Sequence, residues 1–518
     1  MSAEEETTML DAQLAASRRL HWMNMVELHA QDRGEQIAHV DGESRTTWAQ
    51  LHARMRAVAA ELQRRGVGPG DRVFLLSLNS AQALAALLAI NTAGAVAVPL
   101  NIRSAGPELD YLIEDSGAVL GFADQLGEAR LAEATSGGEV PVIRFGEEFE
   151  AIADSGEISA PVDVAESEAA FIIYTSGTTS APKGVVLTHL NMAAQTITTN
   201  RIAPAGGADD ALMLVVPLFH IAAIGTVYPA VLNSVKVVVA PSQVMTNIAA
   251  LADLVEAEGV TNMFLVPTLW QAFCSLPGIR ERRLRLKALQ WGASPASRET
   301  LQLMADTFPD AAISAAFGQT EMSPVTCVLS SEDSFTRMGA VGKPVGLVAA
   351  RVVGPDGEDV PVGETGEIVY RGPGLMQGYW NKPEQTAEAA YDGWFHSGDL
   401  VTRDEDGYVT VVDRAKDIII SGGENISSVE VEHAVAAHPK VADASVIGVP
   451  HPQWVETPLA IVVPADPADP PTLEEIQDFL APRLASFKKP TRLEVVEELP
   501  RNASGKLQKH RLREEFAG

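Results

Sequence analysis

Cysteine is almost absent from this chain: Cys274 and Cys327 are its only two, and no cysteine has metal-binding spacing. No disulfide framework and no zinc site are expected, and a reducing compartment, the cytoplasm, fits. Basic residues are scarce as well, 39 Lys and Arg against 68 Asp and Glu, for a formal charge of −29. Nucleic-acid binding normally leaves a basic footprint, so no nucleic acid is expected as a partner. A polyanionic ligand must be held by local lysines and arginines, which is feasible because the global field is screened over ~8 Å at physiological salt.

Long apolar runs are missing too. The most apolar stretch, Ala81 to Leu100, is interrupted by Gln82, Asn91, Thr92, Gly94 and Pro99. It parses as a buried helix followed by a strand, and no transmembrane segment is expected. The opening MSAEEETTMLDAQ lacks the charged-then-apolar pattern of a signal peptide, so no export is expected.

What is present is a 518-residue chain, too long for one core. At about 150 residues per domain it should hold roughly three to four units. Thr47-Trp48-Ala49-Gln50 is a capping box, with Leu51, Met55, Val58 and Leu62 following at helical spacing and Gly66 where a C-terminal cap belongs. A strand around Val73–Leu76, a helix across Ala81–Ile90, a strand at Ala95–Pro99, a helix opened by Pro107 and a strand at Ala118–Phe122 follow. Such alternation predicts doubly wound α/β layers. Residues 124–168 read as a variable connection, and the α/β alternation resumes from Met213 to about Ala316. Between Arg351 and Gly378, short strands separated by Pro-Asp-Gly and Pro-Val-Gly turns predict a small antiparallel β-subdomain. The tail predicts a compact α+β domain, with helices near Val429–Ala436 and after the capping box Thr472-Leu473-Glu474-Glu475.

Chemistry enters at Tyr174 to Val186, YTSGTTSAPKGVV, where the apolar strand Phe171-Ile172-Ile173 runs into hydroxyls, glycine and one lysine. Gly177 lets backbone N–H groups approach an anion, Thr175, Ser176, Thr178 and Thr179 offer hydroxyls, and Lys183 adds charge. This loop suits a polyphosphate. It is not the common P-loop, because Pro182 precedes the lysine and Gly184 follows it, and no hydroxyl is placed to hold magnesium. A metal ligand must come from elsewhere.

Six further segments supply what the loop lacks: VPLFHIAAIG (216–225), WGASP (291–295), AAFGQTEMSP (315–324), WFHSGDL (394–400), DRAKDIIISGGENIS (413–427) and LPRNASGKLQK (499–509). With these in order along nearly the whole chain, the sequence resembles the adenylate-forming superfamily of acyl-CoA synthetases, adenylation domains and luciferases, and looks most like actinobacterial fatty-acid-type CoA ligases. The resemblance implies an α/β N-terminal AMP-binding domain over residues 1–414, with its β-subdomain near 340–414, and a small mobile C-terminal domain over 415–518 carrying a catalytic lysine. It implies ATP, magnesium and coenzyme A as cofactors or co-substrates, a small-molecule carboxylic acid as substrate, and allows a homodimer.

Residue by residue, the resemblance makes Glu321 the magnesium ligand, a carboxylate suited to a hard cation. Thr320 would donate to the α-phosphate. Phe317, with Gly318, would lie against adenine, and Gly292 and Ala293 would form the small-residue turn against which adenine and acyl group pack. Asp399 would accept both ribose hydroxyls from a strand end, and Arg414 would add a donor. Lys416 matches the hinge. His220 would gate the meeting of carboxylate and thiol, and Lys506 would bridge carboxylate and α-phosphate. Ser421, Gly422 and Gly423 would border the pantetheine tunnel, glycines suiting close passage of a narrow ligand.

Ile221, Ala222, Trp291, Ala315 and Ala316 are the expected acyl-pocket residues. Amino-acid-activating relatives place Asp directly after the aromatic gate, whereas this chain has Ile221, which points to a fatty or aryl acid. Alternatives are an amide synthetase or carrier-protein loader of the same superfamily, and a catalytically dead nucleotide sensor, which intact Glu321, Asp399, Arg414 and Lys506 disfavour. One departure stands out: Ser180 occupies a position where family loops usually carry glycine.

Overall fold

Alternating strand and helix signals up to Ala316 build two mostly parallel sheets. The structure, a computed structural model, describes residues 14–134, 140–160, 162–175, 181–200, 207, 209–245, 247–292, 296–421, 424–452, 454–501 and 507–516. By its contacts the chain divides into two compact units, Met1–Ala349 with Arg371–Gly393, and Ala350–Tyr370 with Trp394–Gly518.

In the first unit a seven-stranded sheet runs in the order Gly378–Tyr379, Lys183–Thr188, Ala169–Thr175, Val96–Pro99, Arg72–Leu76, Leu120–Ala123 and Val142–Arg144. The last five are parallel; Lys183–Thr188 lies antiparallel beside Ala169–Thr175, and Gly378–Tyr379 lies antiparallel beside Lys183–Thr188. A second sheet has the parallel strands Ala312–Gly318, Ala288–Gly292, Asn262–Leu265, Ala211–Leu214, Lys236–Val239 and Ile37–Asp41. Val325–Leu329 and Ala340–Pro344 extend its Ala312–Gly318 side antiparallel. After Ala211–Leu214 the chain pairs Lys236–Val239 on one side, then returns to place Asn262–Leu265 on the other. The strand order therefore reverses beside the carboxyl end of Ala211–Leu214, the place where open α/β sheets leave a crevice for ligands.

Local sequence explains the helices. Thr47 caps Trp48–Arg64 through the reciprocal Gln50 capping box, its apolar stripe Leu51, Met55, Val58 and Leu62 is buried, and Gly66 takes a φ of +85° just past the end. Helix Ala81–Thr92, capped by Ser80, has every residue from Ala83 to Asn91 buried. Its one deeply buried polar side chain is satisfied. Asn91 accepts the Trp22 indole N–H at 2.9 Å and donates to the carbonyls of Ala95 and Ala170. Trp22 itself stacks on Tyr228 with ring centres 5.2 Å apart. Among the described residues no helix is long and apolar enough to cross a membrane.

Two expectations change. Residues 124–168 carry a further α/β step, with helices Gln125–Leu131 and Glu147–Ala153 around strand Val142–Arg144. Its apolar signal is short, carried by Leu131, Ile143 and Phe149, and acidic residues surround it. Gly378, where the β-subdomain was expected to end, pairs instead with Val186 in the seven-stranded sheet, as Tyr379 does with Val185.

In the second unit, Gly366–Arg371, Trp394–Arg403 and Val409–Arg414 form an antiparallel ladder. The C-terminal residues form a five-stranded sheet around the long hairpin Val441–His451 and Val455–Pro464. Its two faces follow the period of two: Val446, Ala460 and Val462 pack with Ile476 and Leu480, while Ile447, Leu459 and Ile461 pack with Leu499 and Leu512. Thr472 caps helix Leu473–Leu480 through the Glu475 capping box.

Candidate functional site

Lys183 does not sit in a free loop. It opens strand Lys183–Thr188 and pairs with Thr175, the last residue of Ala169–Thr175. Gly184 follows because nothing larger fits: a Cβ there would lie 2.7 Å from Ile172 Cγ2 and 3.2 Å from the Tyr174 ring. The Lys183 ammonium lies 4.8 Å from the centre of the Tyr379 ring. The Tyr379 hydroxyl donates to Glu321 Oε1 at 2.9 Å, and the Met376 amide donates to the Glu321 carbonyl at 2.8 Å. Lys183, Tyr379 and Glu321 thus form one cluster within the first unit. Ser176, Gly177, Thr178 and Thr179 lie outside the described residues.

Glu321 belongs to the short 3₁₀ turn Thr320–Met322, immediately after strand Ala312–Gly318. That strand goes from buried Ala315 to partly exposed Ala316 and Phe317 and exposed Gly318. It brings the candidate residues out at its carboxyl end. Its neighbour Ala288–Gly292 is in register, Trp291 beside Ala315 and Gly292 beside Ala316, and a Cβ on Gly292 would collide with the Ala316 carbonyl. Ala293 lies outside the described residues.

His220 follows Ala211–Leu214 and stands directly before helix Ile221–Leu232, so it occupies the crevice end of the strand at the reversal point. Its Nε2 is buried and has no hydrogen-bond partner among the described residues. Burial, reinforced by Arg103, pushes its pKa down to about 4, leaving a neutral imidazole at pH 7. Ile221 is buried, Ala222 is partly exposed, and the first turn of the helix holds no acidic residue.

In the second unit, Arg414 Nε lies 2.6 Å from Asp399 Oδ1, and the two residues are paired across the ladder. Asp399 lies inside strand Trp394–Arg403, rather than at a strand end, next to an irregularity at Leu400 and Val401. Gly398 before it needs a φ of +71°, and its amide donates to Glu367 Oε1 at 2.8 Å. The Asp399 carboxylate is almost fully buried, with 5% of its side chain exposed, so the guanidinium offsets its desolvation. Lys416 is exposed, and partial desolvation lowers its pKa. Ser421 ends strand Ile419–Ser421. Gly422, Gly423 and Lys506 lie outside the described residues.

The AMP-binding enzyme family profile covers residues 26–380, and the AMP-binding enzyme C-terminal domain covers residues 430–506. The chain belongs to this family. It is 39% identical over 478 residues to a feruloyl-CoA synthase of Amycolatopsis, spanning 92% of this chain and 95% of that protein. It is 35% identical to a long-chain-fatty-acid–CoA ligase of Thermus thermophilus, spanning 91% and 90%. Among solved structures, o-succinylbenzoate CoA synthetase of Bacillus subtilis, bound to its acyl-adenylate, superposes with a TM-score of 0.84 at 29% identity, covering 95% of this chain and 98% of that one. The same synthetase has been solved with ATP and magnesium ion.

Tyr379 is the residue that motif reading passed over. Its signal was a Gly-Tyr-Trp run after the Arg371-Gly372-Pro373-Gly374 turn. Assigning that run to the β-subdomain hid its pairing beside Lys183.

Proposed function

We propose that this chain joins an apolar carboxylic acid, aryl or fatty, to CoA. The reaction class is ATP-dependent acid–thiol ligation. The carboxylate attacks the α-phosphorus of ATP, pyrophosphate leaves, and an acyl-adenylate forms; the CoA sulfur then attacks the acyl carbonyl, forming the thioester as AMP leaves. The observation that carries the substrate class is helix Ile221–Leu232, whose first turn holds no acid to pair with a substrate ammonium.

Residue roles follow the chemistry of each site. Lys183 and Thr175, with Ser176, Gly177, Thr178 and Thr179, are assigned to the phosphates. Thr320 is assigned to the α-phosphate, and Phe317, Gly318, Gly292 and Ala293 to adenine and the acyl end. Among the described residues no group of three or more His, Cys, Asp or Glu could hold a metal alone. A lone carboxylate, Glu321, held in place by Tyr379, fits magnesium, which is typically carried on substrate phosphates with one or two protein carboxylates. Bound there, magnesium would offset charge on the departing pyrophosphate.

Asp399, buttressed by Arg414, is assigned to the ribose hydroxyls. His220 is assigned as a gate: an imidazolium pKa near 4 makes a weak general base at neutral pH, while its apolar body suits a steric role. Lys506 is assigned to adenylation, Ser421, Gly422 and Gly423 to the pantetheine, and Lys416 to the pivot of residues 415–518 against 1–414. Trp291, Ala315, Ala316, Ile221 and Ala222 are assigned to the acyl pocket. A cytoplasmic enzyme is the expected setting, and light scattering tests whether it is a homodimer.

A panel of acids from acetate through long-chain and aryl acids to amino acids, scored by pyrophosphate release, tests the substrate class. Preference for amino acids would overturn it. Product analysis with CoA against amines and carrier protein tests the acceptor.

A further inference from the structure

Three tethers converge on Asp115, in the last turn of helix Gly106–Ser116. Its Oδ2 accepts the Tyr174 hydroxyl at 2.7 Å, and its backbone carbonyl accepts the Trp380 indole N–H at 3.0 Å. Its Oδ1 lies 2.7 Å from the Lys382 ammonium and 3.3 Å from the Tyr111 hydroxyl, which also lies 3.0 Å from the Pro182 carbonyl. Each tether lands one residue from the candidate site. Tyr174 precedes Thr175, Pro182 precedes Lys183, and Trp380 follows Tyr379.

A carboxylate in a helix's last turn faces the negative end of the dipole, and this one is buried to 12% side-chain exposure. Both costs call for the Lys382 cation. An amide would serve if only packing were needed, but it could not accept on both oxygens and hold an ion pair at once. Strand 183–188 is gripped from the Asp115 side by the Ala169–Thr175 pairing and from the other by Gly378–Tyr379, with the Trp380 amide donating to the Gly184 carbonyl at 2.7 Å.

We propose that Asp115 is a positioning residue for the polyphosphate of ATP, fixing Lys183 and Tyr379, and through Tyr379 the Glu321 carboxylate, relative to one another. The proposal rests on the adenylating reading above. Small misplacements of groups that act on phosphates cost rate and affinity out of proportion to the distance moved, so weakening the contacts of the Asp115 carboxylate with Tyr174 and Lys382 should be visible in ATP binding even though the Trp380 bond to its backbone carbonyl remains.

The test compares Asp115→Asn and Tyr174→Phe with the parent. ATP binding is measured by calorimetry, and the KM for ATP and for the acid in acid-dependent pyrophosphate exchange. Thioester formation is followed from supplied acyl-adenylate plus CoA, and thermal unfolding alongside. The Kd and KM for ATP should rise about tenfold in Asp115→Asn and less in Tyr174→Phe, with the acid KM and the thioester step within about twofold of the parent. The double variant should be no worse than Asp115→Asn, because both substitutions cut the same tether.

Unchanged ATP binding, or equal damage to both half-reactions, overturns the proposal. If Asp115→Asn does not fold, Tyr174→Phe, which removes one hydroxyl and keeps the ring, decides by the same readouts. A parent with no exchange for any acid would instead defeat the ligase reading, while calorimetry with ATP would still judge the Asp115 tether.

Discussion

Tyr379 donates its hydroxyl to Glu321 Oε1 at 2.9 Å. The phenol orients the carboxylate assigned to magnesium, while its ring face meets the Lys183 ammonium. Tyr379→Phe keeps the ring and removes the orienting bond. Hydrogen-bonded partners of metal ligands typically contribute 10–100-fold to affinity or activity, so the magnesium concentration for half-maximal pyrophosphate exchange should rise about tenfold. Glu321→Gln should raise it further, since an amide is a poorer ligand for a hard cation. Identical magnesium titrations for parent and both variants would place the metal elsewhere.

Asp399→Asn keeps size but removes the charge that Arg414 balances and that would hold two ribose hydroxyls. Hydrogen bonds to a charged group contribute roughly 1.5–3 kcal/mol each, so ATP affinity should fall well over tenfold. Calorimetric titration with ATP reads this directly. A folded variant with the parent's affinity would leave the Asp399–Arg414 pair a purely structural element.

Lys506→Ala should separate the half-reactions. Removing one preorganised electrostatic donor typically costs about 10²–10³ in rate, and that loss should fall on acyl-adenylate formation from acid and ATP. Thioester formation from synthetic acyl-adenylate and CoA should largely survive. Equal loss in both assays, with unaltered thermal unfolding, would deny Lys506 a role specific to adenylation.

Acid should destabilise this protein before its carboxylates titrate. His39 and His21 are buried and held neutral, with pKa values lowered by burial to about 4, and burial lowers His189 to about 3. Below about 6.5 the unfolded chain binds protons at these sites, while the folded protein does not until about pH 4. Stability is therefore unpenalised above about pH 6.5 and falls as pH drops towards 4. Urea midpoints taken across that window should decline, and His39→Leu should flatten the decline. An unchanged slope in the variant would show that His39 is not among the groups responsible.

Long, strongly periodic or capped elements were readable in advance. Thr47 and Thr472 announced their helices because a cap is a local device, and the Ala81 helix was readable because it is apolar without a break from Ala83 to Ile90. Residues 124–168 were not, because their apolar residues are few and lie among acids and glycines. Gly378-Tyr379 was misread for a different reason. A two-residue strand has no period of its own, and only its partners Val185 and Val186, far away in sequence, define it. The motifs named the candidate residues but carried no sign of what holds them: the Tyr379–Glu321 bond and the Asp115 tethers join residues 58 or more apart, apart from the helical neighbour Tyr111. Asp399 shows the same limit, since the continuation of its strand to Arg403 leaves no mark on Ser-Gly-Asp.

Helix Ala81–Thr92 has consequences for how the chain is made. It has no wettable side, and its buried Asn91 is satisfied only once Ala170, 79 residues further along, is in place. At about 5–20 residues per second, a ribosome leaves that partner unmade for roughly 4–16 s after Asn91 is added. During this interval the nascent helix is a ready target for chaperones and for other nascent chains. Yields of active protein should therefore depend on translation rate and on refolding concentration more steeply than the acidic, well-solvated surface would suggest.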